Sequence, residues 1–129
     1  MKNFDAGKKE LKTINVIGLG YIGLPTACYL AKAGFKVIGV DKDKKKINSL
    51  KKGKVPFEEP GLPKILKEGF KNFQFSLIPK EADVFIISVP TPIKNSKEPD
   101  LDYVIRAVYD IKPFIRNNNL VVLESTVPC

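Results

Sequence analysis

Three glycines spaced as Gly-x-Gly-x-x-Gly, at Gly18, Gly20 and Gly23, are the residues whose spacing most clearly indicates chemistry in this chain. They lie between a short apolar run and an apolar stretch with helical spacing, and a second apolar run ends in Asp41. A strand, a glycine turn, a helix and a second strand followed by an acid are typical of a dinucleotide-binding unit. The pattern therefore predicts that the turn holds a pyrophosphate.

Each residue of this unit has a physical role. Gly18 permits the tight turn out of the first strand, Gly20 leaves the backbone open to a pyrophosphate, and Gly23 lets the helix pack close to the sheet. The helix N-terminus offers N–H groups and a partial positive charge to the phosphates. Asp41 would accept hydrogen bonds from ribose hydroxyls and repel a 2′-phosphate, which predicts NAD as the cofactor. The alternative is that the glycines are turn residues of another α/β protein and that Asp41 caps a helix.

Two threonines and a glutamate are further candidates, because they follow predicted strands at the edge where such sheets bind ligands. Thr91 stands between two prolines after the fourth strand, and its alternative role is in a proline-stiffened loop. Glu124 and Thr126 follow the fifth strand. Thr126 is placed to hydrogen-bond the nicotinamide amide or a catalytic water, and its alternative role is a helix N-cap.

The elements that must position these residues alternate along the chain between strands and helices. This alternation predicts an α/β fold with a Rossmann-type, doubly wound parallel sheet of five strands. Such sheets commonly have six strands in the order 3-2-1-4-5-6, so the fold is expected to be truncated after the fifth strand. The predicted helices cover 21–33, 42–52, 64–68 and 102–115, and the later strands cover 73–76, 84–89 and 120–124.

Two of these elements carry predictions about burial. The last helix is expected to bury Val104, Ile105, Val108 and Ile111 against the sheet. The segment Leu120 to Glu124 is expected to be a buried strand.

Length and composition fit one globular domain. The 129 residues are 43% hydrophobic and 28% charged, which is ordinary for a soluble protein. Residues 1–12 are predicted to be a short flexible arm, and residues 13–129 the NAD-binding domain. No apolar run is long enough for a membrane helix and the N-terminus does not resemble a signal peptide. A cytoplasmic protein without a membrane partner is therefore expected.

The net charge of +8 comes mostly from lysines, which cluster at 42–46 and 51–54. These fit the solvated face of one helix whose buried side is Ile47 and Leu50. No nucleic-acid-binding motif accompanies them, so a solvated surface is favoured over a nucleic-acid site.

The absence of histidine and the presence of only two cysteines limit the chemistry further. A histidine-based acid–base scheme is excluded within these residues. Cys28 is expected to be a small buried side chain of the first helix. Neither Cys28 nor Cys129 has metal-site spacing, so no metal is expected, and neither is a disulfide.

Several motifs together resemble the UDP-glucose/GDP-mannose dehydrogenase family, in particular its UDP-N-acetylmannosamine and UDP-N-acetylglucosamine 6-dehydrogenases. The resemblance runs from about Thr13 to Pro128. Its motifs are Gly18-Leu-Gly-Tyr-Ile-Gly-Leu-Pro-Thr-Ala27, Glu59-Pro60-Gly61-Leu62, Val89-Pro-Thr-Pro92, Glu98-Pro99-Asp100 and Glu124-Ser125-Thr126.

The resemblance implies an enzyme that uses two NAD in succession to oxidise the C6 alcohol of a UDP-sugar to a carboxylate, as part of nucleotide-sugar metabolism. The intermediates would be held as a thiohemiacetal and then a thioester on a cysteine. By position in the motifs, the residues implied to contact NAD are Tyr21, Ile22, Asp41, Thr91 and Thr126. Lys46 would reach the adenosine ribose side, Glu124 is implied as a cofactor or active-site contact, and Thr126 would also position the hydrolytic water.

The resemblance is incomplete in one respect. The family's nucleophilic cysteine lies far downstream in a glycine-rich segment, and Cys129 does not match it. The chain is therefore expected to be the NAD-binding part of a homo-oligomeric enzyme and to turn over no substrate alone. The alternatives are a dehydrogenase of the 6-phosphogluconate or hydroxyacyl-CoA type, and a non-enzymatic nucleotide-binding module.

Overall fold

Five short apolar segments form one parallel sheet. The computed structural model describes residues 12–98 and 100–124. Within them the strands lie in the spatial order β3-β2-β1-β4-β5, as the sequence predicted for the first five strands. The strands are β1 (Thr13–Ile17), β2 (Lys36–Val40), β3 (Phe73–Ser76), β4 (Val84–Ile87) and β5 (Leu120–Leu123).

Four helices connect the strands, and most begin or end within a few residues of the prediction. Asp43 caps the second helix, because its side chain accepts hydrogen bonds from the backbone N–H groups of Lys45 and Lys46. The helices are α1 (Gly23–Lys32), α2 (Lys44–Lys51), α3 (Leu62–Gly69) and α4 (Asp102–Ile111).

Each face of the sheet carries its own apolar core. Helices α1, α2 and α3 pack over the larger cluster, which contains Leu24, Ile47 and Leu66. Helix α4 packs over the smaller one on the opposite face, with Ala107 and Ile111 against Phe85. Lys44, Lys45 and Lys51 of α2 are exposed while Ile47 and Leu50 are buried, as predicted, and Lys46 is half-buried. The sheet is thus covered by helices on both faces, and the carboxyl ends of its strands remain available for ligands.

A buried asparagine joins β1 to its surroundings. Asn15 is fully buried, its amide donates to the carbonyl of Ile38 at 3.0 Å, and its side-chain oxygen accepts from the N–H of Lys80 at 2.9 Å. Both polar ends are therefore satisfied, which is the condition for burying such a group. The segment after β3 is fixed against the sheet in this way.

Two predictions about burial were wrong. In α4, Ile111 is buried as predicted, but Ile105 and Val108 are 52% and 44% exposed, because the stripe facing the sheet runs through Ala107 and Ile111. Strand β5 was expected to be buried, yet all four of its residues are exposed. It is an edge strand beside β4 alone, and the helices pack over the central strands, so its faces stay open in the described part of the chain.

The ends of two elements also differ from the prediction. Strand β4 ends at Ile87 rather than at residue 89. Helix α4 ends at Ile111 and passes into a 3₁₀ turn, Lys112–Phe114, that contains Pro113, which lacks the N–H that a continuing α-helix needs.

Several sequence predictions fall outside the described residues. These are the N-terminal arm except for Lys12, the proline of the Glu98-Pro99-Asp100 motif, and Ser125, Thr126 and Cys129. No helix in the described ranges combines the length and apolar character needed to cross a membrane.

Candidate functional site

The carboxyl ends of all five strands lie level with one another. The register pairs Ile17 with both Val40 and Ile87, Val40 with Ser76, and Ile87 with Leu123. The next residue along each strand therefore stands in one row across the sheet. A groove of about 570 Å³ runs along this row, a size typical of small-molecule sites, and the row consists of Gly18, Asp41, Leu77, Ser88 and Glu124.

The first glycine makes the turn that opens the groove. Gly18 has φ +99°, in the left-handed region that favours glycine. Its N–H donates to the carbonyl of Val40 at 2.8 Å. A Cβ at this position would lie only 2.5 Å from the carbonyl oxygen of Ser88. The turn is therefore held against both strands that flank β1.

The other two glycines differ in what surrounds them. A Cβ on Gly23 would lie 1.8 Å from the carbonyl oxygen of Gly18, whereas a Cβ on Gly20 would meet no atom within 4 Å. Gly23 is thus required for close packing of the helix start against the turn. Gly20 faces open space at the groove, which is what the approach of a pyrophosphate to the backbone needs.

The N-terminus of α1 is directed to this groove without a capping side chain. Ile22 occupies the N-cap position and provides no side-chain hydrogen bond. Tyr21 and Ile22, both implied as NAD contacts, line the groove and are 67% and 46% exposed. The Tyr21 ring packs on Phe57 with centroids 4.4 Å apart. With no capping side chain in the way, the positive end of the helix dipole is suited to an anion.

The acid at the end of β2 is held by three protein donors. Asp41 Oδ2 accepts from the N–H of Leu19 at 2.9 Å and lies 3.3 Å from Lys46 Nζ. Its Oδ1 accepts from the N–H of Asp43 at 2.9 Å. A carboxylate offers about four lone-pair positions, so capacity remains for a ribose hydroxyl. Lys46 stands beside it, and its implied reach to the adenosine ribose stays a prediction.

One wall of the groove comes from α4, which sequence reasoning missed. Tyr103, Arg106, Ala107 and Asp110 line the groove. Lys42, just after β2, forms an ion pair with Asp110 at 3.2 Å. The spacing of these α4 residues, i, i+3, i+4 and i+7, is the signal that identifies one helix face. Only the sheet topology shows that this face turns to the groove.

The far end of the groove contains the remaining predicted residues. Thr91 lines it after β4, and Glu124 lines it after β5. The hydroxyl of Thr26, on α1, donates to the carboxylate of Glu124, with both oxygens 2.9 Å away. Thr126 falls outside the described residues, so its predicted role stays a prediction.

Ser88 at this end was not predicted from the sequence. It is 8% exposed, and its hydroxyl finds no hydrogen-bond partner in the described part of the chain. A buried polar atom of this kind is rare and requires an explanation. Ser88 lies against the glycine turn: a Cβ on Gly23 would lie 3.0 Å from the Ser88 Cβ.

The structure thus brings together the predicted site residues that it describes. All of them line the groove except Gly23, which lies beneath the turn. Cys28 is away from the groove, in the core under α1, and burial raises the pKa of its thiol from 9.0 to about 12. Over residues 12–98 and 100–124 there is no group of three or more side chains suited to a metal ion.

The sequence matches a family model of an NAD-binding domain. The model described as the UDP-glucose/GDP-mannose dehydrogenase family, NAD binding domain, matches residues 12–129. UDP-N-acetyl-D-mannosamine dehydrogenase from Methanococcus maripaludis is 49% identical over 128 residues. NDP-N-acetyl-D-galactosaminuronic acid dehydrogenase from Ralstonia nicotianae is 40% identical over 121 residues. These alignments cover 95% and 92% of this chain but 30% and 29% of the relatives.

Solved structures of nucleotide-sugar dehydrogenases are also similar to this chain. The native UDP-N-acetyl-mannosamine dehydrogenase Cap5O from Staphylococcus aureus superposes with a TM-score of 0.86 at 40% identity, covering 89% of this chain and 29% of that one. A ternary complex of GDP-mannose dehydrogenase from Pseudomonas aeruginosa has a TM-score of 0.82 at 36% identity, covering 88% and 28%. The chain therefore spans less than a third of the length of these proteins.

Proposed function

The chain belongs to the UDP-glucose/GDP-mannose dehydrogenase family, whose NAD-binding domain it matches. From this match we propose where NAD lies in the groove and which reaction it serves. The cofactor lies across the row of strand ends, and it serves the oxidation of the C6 alcohol of a UDP-N-acetylhexosamine to the uronate. Two NAD are used for each sugar.

The observation that carries the proposal is the uncapped start of α1 beside the open space at Gly20, with Asp41 at the neighbouring strand end. The helix terminus and the bare backbone fit a diphosphate. Asp41 fits a hydroxyl of an adenosine ribose, since its carboxylate has a lone-pair position left and is already fixed by Leu19. The residues present therefore suit the cofactor.

This arrangement assigns roles to the two ends of the groove. The adenosine half lies over β2, between Asp41 and the α4 wall. The negative charge of Asp41 disfavours a 2′-phosphate, so NAD is preferred over NADP. The nicotinamide half lies over β4 and β5, near Thr91 and Glu124. When bound, NAD accepts a hydride from the substrate alcohol.

The remaining steps need residues beyond the groove. We assign Thr126 the positioning of a hydrolytic water, from its place in the family motif. The substrate class is supported by the names of similar proteins, which act on N-acetylated nucleotide sugars. The family match favours this reaction over chemistry of the 6-phosphogluconate or hydroxyacyl-CoA type. The 129 residues alone are expected to bind NAD at most weakly. They are expected to turn over no substrate, because Cys129 does not match the cysteine nucleophile.

Calorimetric titration of the chain with NAD, NADP and duplex DNA at low and high salt tests the cofactor part. We expect NAD to bind more tightly than NADP, with a smaller salt dependence than binding to a phosphate backbone would show. Stronger binding of DNA that collapses with salt would contradict the proposal. Production of NADH from a UDP-N-acetylhexosamine by this chain alone would contradict the expected inactivity.

A further inference from the structure

Asp41 and Glu124 place carboxylates after β2 and after β5, at separate positions along the groove. Both belong to the row of strand ends, and three inter-strand intervals separate them: β2 to β1, β1 to β4 and β4 to β5. At about 4.8 Å for each interval, the two positions are roughly 14 Å apart. A dinucleotide laid across the switch between the two halves of the sheet would reach from one to the other.

Glu124 is held in place from two sides. Its backbone N–H donates to the carbonyl of Ile87 at 2.8 Å, which continues the β4–β5 ladder. Its carboxylate receives the hydroxyl of Thr26, 2.9 Å from each oxygen. These partners are 98 residues apart in the chain, and the contact is partly buried. The direction of the carboxylate is therefore fixed by α1.

No basic side chain neutralises this carboxylate in the described part of the chain. The ion pairs there join other acids, including the pairs Lys46–Asp41 and Lys42–Asp110 at the β2 end. The neutral hydroxyl of Thr26 satisfies the carboxylate without cancelling its charge. A negative charge in a groove for a diphosphate is unfavourable unless it faces the positive part of the ligand.

The only positive part of NAD is its oxidised nicotinamide ring, which becomes neutral when the hydride is added. We propose that Glu124, oriented by Thr26, makes the groove prefer the oxidised cofactor over the reduced one. Glu124 acts as a specificity-determining residue and Thr26 as its positioning residue. The inference rests on the proposed function, and it supplies a reason for each reduced cofactor to leave before the second oxidation.

The ratio of the NADH and NAD dissociation constants measures this preference directly, without any turnover. NADH binding is followed by its fluorescence, and NAD binding by calorimetry or by competition. With partial screening by solvent, Glu124→Gln is expected to lower the ratio about fivefold. The fall should come from weaker NAD binding, while the NADH dissociation constant stays near its original value.

Two variants of Thr26 test the positioning role. Thr26→Val removes the hydroxyl at nearly constant shape and should lower the ratio in the same direction. Thr26→Ser keeps the hydroxyl and should restore it. Asp41→Asn is the matched control, since it removes a groove carboxylate at the adenosine end, where the two redox forms are identical. It should weaken both forms by the same factor and leave the ratio unchanged.

The outcomes separate this inference from the proposed function. If the unsubstituted chain binds both forms but Glu124→Gln leaves the ratio unchanged, the inference is overturned and the proposed cofactor site stands. The inference is also overturned if Asp41→Asn lowers the ratio as much as Glu124→Gln does, because the preference would then not depend on the nicotinamide end of the groove. If the chain binds neither form, the proposed function fails and this inference fails with it.

Discussion

Asp41 Oδ2 accepts a hydrogen bond from the backbone N–H of Leu19 at 2.9 Å. The carboxylate at the end of β2 is thereby joined to the glycine turn at the end of β1. Since the side chain of Leu19 is fully buried, the turn is fixed on its inner side by the core and on its outer side by Asp41. The turn that we propose as the diphosphate site is thus held in place by the protein itself, which lowers the ordering cost of binding.

Asp41→Asn should change cofactor choice more than it changes the fold. The amide oxygen can still accept from Leu19, but the negative charge beside Lys46 is lost. We expect NAD to bind about tenfold more weakly, a loss of about 1.4 kcal/mol, and the preference for NAD over NADP to shrink. Calorimetric titration with both cofactors measures this. An unchanged preference would show that Asp41 does not contact the ribose.

Gly20→Ala and Gly23→Ala form a pair with opposite expected effects. A Cβ on Gly23 would lie 1.8 Å from Gly18 O, so the backbone must move and the free energy of unfolding should fall by about 2 kcal/mol or more. A Cβ on Gly20 meets nothing within 4 Å. That variant should keep its stability within about 0.5 kcal/mol but lose NAD affinity, because the methyl group occupies the approach to the backbone.

Denaturant unfolding and NAD titration of both variants provide the measurement. The assignment of the glycines would be wrong if Gly20→Ala bound NAD as well as the original chain. It would equally be wrong if Gly23→Ala were as stable as the original.

Ser88→Ala tests the buried hydroxyl without a partner. Removing such a group costs no hydrogen bond and removes a desolvated polar atom, so the free energy of unfolding should stay the same or rise by about 1 kcal/mol. Ser76→Ala is the matched control. The Ser76 hydroxyl donates to the carbonyl of Ile78 at 2.7 Å and accepts from its N–H at 3.2 Å, so this variant should lose about 1 kcal/mol. A clear loss in Ser88→Ala would reveal an ordered partner, such as a buried water.

The thiol of Cys28 gives the stability a specific pH dependence. Burial raises its pKa to about 12 in the folded chain, against 9.0 for an ordinary thiol. Above pH 9.0 the unfolded chain loses this proton while the folded chain keeps it, so ionisation favours unfolding. Between the two values the thiol should cost about 1.4 kcal/mol of stability per pH unit.

Comparison with Cys28→Ala isolates this effect, because every other side chain is the same in both proteins. The stability difference between the two, from urea unfolding at several pH values, should be constant below pH 9.0 and should then change in favour of the variant. A difference that does not depend on pH would contradict the raised pKa.

The sequence predicted the parts of the site that depend on local pattern. The glycine spacing and the acid after β2 are short-range features, and the parallel alternation determines that their strand ends meet at one edge. Gly18 and Asp41 were therefore predicted at the ends of the first two strands, and the structure places both of them, with Lys46, in the groove.

Features that depend on distant segments were not predictable in this way. The contact between Thr26 and Glu124 joins residues 98 positions apart in the chain, and the sequence around neither residue predicts the other. The two polar ends of Asn15 are likewise satisfied by β2 and by the segment after β3. Apolar periodicity shows that a segment is regular, but it does not show which face a neighbour covers. For this reason the burial of β5, Ile105 and Val108 was predicted wrongly.

The unequal cores on the two faces of the sheet affect how the groove moves. Helix α1 buries five residues, whereas α4 buries only Ala107 and Ile111. Local opening is easiest where few apolar contacts resist it, so the amide protons of α4 should exchange with deuterium well before those of α1. The α1 side of the groove is therefore expected to be rigid. The α4 side is expected to open locally, and its amide protons should exchange more slowly when a nucleotide is bound.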